Sequence, residues 1–246
     1  MRNSFIAIVL LILFLPGTIS AQVIRKTEIE FKAADGLLIT ANLYQSRKSN
    51  PFIILLHQEL SSKGEFDPIV YRFIKMNYNC MAVDLRSGAD VSFEKNKTAA
   101  RAKEEGYLLS INHALTDIEA AIDYLSDFSG KEISLFGSAS SGSLALLAGR
   151  NNENVNAVVA FSPGEYLSPE NDLKSILANY PKPVFVAVTT EEKPYLSDIE
   201  GFPGNNKVLF NPTTGKGLRG TRALLKENPT RDEYWLSLLL FFKSIK

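Results

Sequence analysis

Apolar and polar residues alternate along 27–31 and again along 37–44, on either side of Asp35-Gly36. Alternation of this kind predicts half-buried strands, and an Asp-Gly step between them predicts a tight antiparallel hairpin. Further along the chain the alternation stops. Residues 52–56, 80–83, 133–136, 155–161, 184–188 and 208–210 are solid apolar runs, the pattern of strands buried on both faces of a mainly parallel sheet. Between them, helical periodicity covers 68–76, 112–125, 140–148, 172–178 and 230–244. In the second of these, Ile111, Leu115, Ile118, Ile122 and Leu125 fall on one stripe, so that helix should lie with one face on the sheet. Strands alternating with helices predict an α/β fold, a mainly parallel, doubly wound sheet opened by an antiparallel hairpin, with no large lid domain. Residues 87–109, rich in Lys, Glu, Asn and Ala, follow neither period and read as a surface excursion of unassigned conformation.

The first 21 of the 246 residues have a different character. Met1-Arg2-Asn3, an apolar run over 5–15 and the exit Pro16-Gly17-Thr18-Ile19-Ser20-Ala21 form the pattern of a secretory leader. Cleavage after Ala21 would release residues 22–246 as a single domain to a secreted or periplasmic location. The run is shorter than the roughly 20 residues of a spanning helix, so no stable membrane span is expected after processing.

The 27 basic and 27 acidic residues cancel, and no basic stripe is interleaved with aromatics, which argues against nucleic acid as a partner. Cys80 is the only cysteine, so no intramolecular disulfide can form, and it reads as a small buried hydrophobe. There is no CxxC, HExxH or clustered His/Asp set; neither a metal nor another cofactor is expected. Asn96-Lys97-Thr98 matches the glycosylation sequon, a pattern short enough to arise by chance.

The candidate chemistry centres on Ile133-Ser134-Leu135-Phe136-Gly137-Ser138-Ala139-Ser140-Ser141-Gly142, which reads as a buried strand, a tight turn and a helix. That is the setting of the G-x-S-x-G nucleophile elbow, and in the ungapped register the nucleophile position holds Ala139. Shifting strand and helix by one residue would bring Ser140 to the tip. The flanking apolar positions favour the unshifted register, with Ser138, Ser140 and Ser141 hydrogen-bonding locally at the turn and helix start. A serine hydrolase of this fold also takes its proton with a histidine late in the chain. Here the last histidine is His113.

Ala34-Asp35-Gly36, Leu55-Leu56-His57-Gln58, Val83-Asp84-Leu85-Arg86-Ser87-Gly88, the elbow and Phe161-Ser162-Pro163-Gly164 together resemble the α/β-hydrolase superfamily, particularly its dienelactone-hydrolase-like members. The resemblance implies that Ala139 stands at the nucleophile position, and that the backbone N–H groups of Ser140 and of Gln58 or Glu59 form the oxyanion hole. It implies Glu192, with Glu191 close behind, at the acid position. The base position falls at Arg219-Gly220, and arginine cannot accept a proton near neutral pH. Neither His57, expected to shape the oxyanion loop, nor His113, at a helix start, belongs there.

Three classes of function follow. The first is a secreted member related to carboxylic-ester and lactone hydrolases but catalytically impaired, possessing a pocket for a small carboxylate or ester-like ligand held by Arg219 and the Ser140 N–H. An internal Arg219–Glu192 ion pair would instead close that site. The second is an active serine hydrolase of esters or lactones using Ser140 or Ser138, with Lys216 or His57 as the activating group. The third is a structural or interaction protein.

Overall fold

A computed structural model describes residues 23–91 and 94–245; the leader predicted over residues 1–21 lies outside the described residues. The hairpin forms as β1 (Arg25–Lys32) and β2 (Leu38–Gln45). The solid apolar runs become β3 (Phe52–Leu56), β4 (Asn79–Val83), β5 (Ile133–Ser138), β6 (Val155–Phe161), β7 (Val184–Ala187) and β8 (Lys207–Phe210). They join in one sheet of order β1-β2-β4-β3-β5-β6-β7-β8. The β1–β2 and β2–β4 pairings are antiparallel and the others parallel, so the protein has the α/β-hydrolase architecture.

Each central strand feeds two cores. Phe52, Ile54 and Leu56 of β3 enter one apolar cluster while Ile53 and Leu55 enter the other, and Val184 and Val186 of β7 oppose Phe185 and Ala187 in the same way. Burial on both faces is why these segments read as unbroken apolar runs. One face is covered by α3 (Ala114–Ser129), α4 (Ser140–Asn151) and the short α5 (Leu173–Leu177). The opposite face is covered by α1 (Val70–Lys75) and α6 (Arg231–Ser244), where Phe73, Trp235 and Phe242 pack ring against ring.

The excursion at 87–109 contains a helix that the pattern did not predict, α2 (Lys97–Glu104). Its buried positions are only Thr98, Ala99 and Ala102, too few and too small to produce an apolar stripe. Instead, polar contacts hold it. The Asn96 side chain caps it by accepting from the Ala99 N–H at 2.8 Å, Thr98 Oγ1 accepts from the Thr40 N–H, and Arg101 pairs with Glu30. Beside it Arg86, fully buried, donates to both Asp117 and Asp35. This anchors the end of β4 to the β1–β2 turn and to α3.

Candidate active site

β5 lies between β3 and β6, so the loops leaving those three strands meet at one end of the sheet, where ligands bind in open α/β folds. β5 ends at Ser138 and α4 begins at Ser140, leaving Ala139 alone to reverse the chain with φ 47° and ψ −114°. A residue with a Cβ rarely adopts this conformation, and holding it costs on the order of 1–3 kcal/mol. Gly137 permits the close turn, since a Cβ there would lie 2.1 Å from the Ser141 carbonyl oxygen. The strained tip is thus occupied by a methyl group.

The neighbouring serines are committed elsewhere. Ser138 Oγ is buried and accepts from the Thr221 N–H at 3.0 Å. Ser140 Oγ accepts from the Glu59 N–H at 2.9 Å, and Ser141 Oγ donates to the His57 carbonyl at 2.5 Å. Among the described residues, neither the Ser138 nor the Ser140 hydroxyl, the alternative nucleophiles, is hydrogen-bonded to a basic side chain.

The loops after β7 and β8 meet through Glu192 and Arg219. Arg219 Nε donates to Glu192 Oε1 at 2.6 Å and its Nη2 to the Tyr166 hydroxyl at 2.6 Å. The other oxygen of Glu192 accepts from Ser162 Oγ at 2.8 Å and from the Thr189 N–H at 2.9 Å. Ser162 Oγ in turn accepts from the Gly220 N–H. Burial would lower the Arg219 pKa, but its bonds to Glu192 and Tyr166 outweigh this and leave it raised. At the expected base position, a permanently charged donor therefore bonds to the expected acid Glu192 and offers no lone pair in return. Of the two arrangements expected for Arg219, an anion site with the Ser140 N–H and an internal pair with Glu192, the guanidinium makes the internal pair. Glu191 points its charge to Lys216 at 2.8 Å in an exposed pair.

The oxyanion loop is also occupied. The Gln58 N–H, expected to be an oxyanion donor, gives its bond to Glu65 Oε2 at 3.1 Å. Glu65 Oε1 accepts from Thr221 Oγ1 at 2.5 Å. One carboxylate thus spans the β3 loop and the loop carrying Arg219, taking the N–H expected to serve as an oxyanion donor. Gly220, at φ +57°, presses onto the elbow so closely that a Cβ there would sit 2.7 Å from Ser138 Oγ. The Ser140 N–H remains, the first of α4 and without an intrahelical acceptor.

His57 and Lys216, the alternative activating groups, are both engaged by partners outside the elbow serines. His57 is fully buried; its Nε2 accepts from the Leu85 N–H at 2.9 Å, which leaves Nδ1 as the donor to the Gln58 carbonyl at 2.7 Å. Both nitrogens are used and burial holds its pKa below 6.5. The Lys216 ammonium is exposed, and its bond to Glu191 raises its pKa, the opposite of what a lysine base needs. His113 is exposed at the start of α3, within 2.7 Å of Ser110 Oγ. Glu65, Ser162, Thr221 and Tyr166 were not found from the sequence. Of these only Ser162 carried a signal, its place before Pro163 at the end of β6.

The sequence profile of the dienelactone hydrolase family matches residues 39–198, ending before the loop with Arg219. Among solved structures, an esterase from Pyrococcus furiosus is 18% identical with a TM-score of 0.68, over 89% of this chain and 92% of that one. A dienelactone hydrolase from Anabaena variabilis is 15% identical with a TM-score of 0.66, over 91% and 98%. No curated protein sequence matches.

Two outcomes follow from this geometry. Ala139→Gly should raise stability by ~1 kcal/mol, since glycine adopts the tip conformation without a Cβ clash; denaturant midpoints will show it, and a loss would mean that the tip is unstrained. The second concerns pH. With its folded pKa depressed, His57 contributes stability that is complete above 6.5 and lost as pH falls through the folded value. His57→Gln should therefore be less stable at neutral pH but flatter in its pH dependence between about pH 7 and 5; parallel profiles for the two proteins would contradict a neutral buried imidazole.

Proposed function

The chain belongs to the dienelactone hydrolase family, and from that premise we propose that it is a member that does not hydrolyse esters or lactones and that keeps the fold for binding. The observation that carries this reading is the strained tip at Ala139, with φ 47°, facing no hydroxyl poised by a base. Loss of one triad member from an active enzyme costs about 10⁴- to 10⁶-fold in kcat. Here the nucleophile position holds a methyl, the base position a guanidinium locked onto Glu192, and an expected oxyanion N–H is given to Glu65. The three changes reinforce one another. An ion pair and a carboxylate plug would both obstruct a substrate carbonyl at the elbow. The leader pattern of residues 1–21 adds export to the reading, and no helix among the described residues is long and apolar enough to cross a membrane.

Turnover of p-nitrophenyl esters tests the proposal. Wild type should stay at background. Ala139→Ser with Arg219→His should gain clearly more than the two single changes combined, because triad residues act as a unit. Adding Glu65→Ala to that pair should yield a further ~10²-fold, the scale of one oxyanion donor. Robust wild-type turnover abolished by Ser140→Ala would overturn the proposal.

A further inference from the structure

A cleft of about 880 Å³ opens between the loops that follow β6, β7 and β8. Its volume lies within the roughly 300–1,000 Å³ of small-molecule sites. Arg219, Glu192 and Tyr166 line it, whereas Ala139, Ser140 and Gln58 do not. The ion pair belongs to the cleft lining, and the three elbow and oxyanion-loop residues do not.

Its charges are unevenly satisfied. The three carboxylates in the lining are all engaged: Glu165 accepts from the Leu173 N–H, Glu191 pairs with Lys216, and Glu192 pairs with Arg219. Lys174 and Arg222 also line the cleft, and neither cation has an ion-pair partner among the described residues. The lining thus holds four cations, Lys174, Lys216, Arg219 and Arg222, against three carboxylates, and the excess lies with the two unpaired ones. The rest of the lining includes Leu173, Leu218, Tyr166 and Tyr195, and Tyr195 is 76% exposed, an unusual position for a large ring. Cations beside apolar and aromatic surface suit a ligand with an anionic head and an apolar body, the rings covering the body at low entropic cost.

We infer that this cleft binds an amphipathic carboxylate, a medium-chain acyl or arylalkyl acid, with its head between Arg222 and Lys174 and its body against Tyr166, Tyr195 and Leu218. The inference rests on the non-hydrolysing reading, since a free acid is bound here as ligand and not released as product. It also moves the carboxylate site from Arg219, whose charge is spent internally, to the two unpaired cations.

Calorimetry with octanoate and 3-phenylpropionate tests it, with methyl octanoate as the uncharged control. Both acids should bind wild type and acetate much more weakly. Arg222→Ala should weaken octanoate ~10-fold, the scale of one lost charge-assisted hydrogen bond, with Lys174→Ala in the same direction. Tyr195→Ala should weaken both acids, and methyl octanoate should bind more weakly than octanoate. These positions are at the surface, so unchanged melting curves will certify that the variants fold. Absence of octanoate binding to wild type, or equal affinity in wild type and the Arg222→Ala/Lys174→Ala double variant, would overturn the inference. Chromatography of the methyl octanoate samples keeps the two claims apart: octanoate release refutes the non-hydrolysing reading, whereas an intact ester without acid binding refutes only the ligand.

Discussion

Glu192 ties together the three loops that build the site. It takes Arg219 Nε from the loop after β8 at 2.6 Å, Ser162 Oγ from the end of β6 at 2.8 Å and the Thr189 N–H of its own loop at 2.9 Å. Ser162 passes the connection on to the Gly220 N–H, and Gly220 lies against the elbow. Thr221 adds a direct tie, its N–H bonding to Ser138 Oγ at the end of β5 and its hydroxyl to Glu65. The importance of Glu192 is geometric, because Arg219 is 63% exposed and pairs of that kind are worth about 1 kcal/mol or less.

On the proposed non-hydrolysing reading, the bond between Arg219 and Glu192 lets a hydrolase site lose its chemistry while keeping its shape. An acid that orients a histidine needs only a donor in the right place, and an arginine Nε supplies one. What arginine lacks is the lone pair that would receive a proton. Once no base is present, a serine at the strained tip has nothing to activate it, and alanine keeps the turn without demanding a partner. Glu65 fits the same reading: it accepts from the exposed Gln58 N–H, the expected oxyanion donor, while binding Thr221.

The sheet and most helices were legible because burial on two faces writes itself into the chain as apolar runs, and β3 and β6 coincide with runs 52–56 and 155–161. The elbow was legible for a similar reason, since Ile133 to Phe136 and Leu144 to Leu146 fix the register around Ala139. α2 was not, because Asn96, Thr98 and Arg101 hold it by hydrogen bonds and an ion pair that leave no periodic trace. Glu65 was equally hidden, lying 156 residues from Thr221 along the chain. Arg219 could be located from its place before the last helix, but its partner could not be chosen from sequence. The Ser140 N–H and Glu192 were both candidates, and only the fold shows that the guanidinium turns to the carboxylate.

Intact-protein mass spectrometry after fluorophosphonate treatment is the most direct test of a silent site, because it reports a competent nucleophile irrespective of substrate preference. A methyl at the tip and an occupied oxyanion loop predict an unmodified mass for wild type, alongside a single adduct on the Ala139→Ser/Arg219→His/Glu65→Ala variant as the positive control. An adduct on the wild-type protein, mapped by peptide sequencing to Ser140 or Ser138, would contradict it.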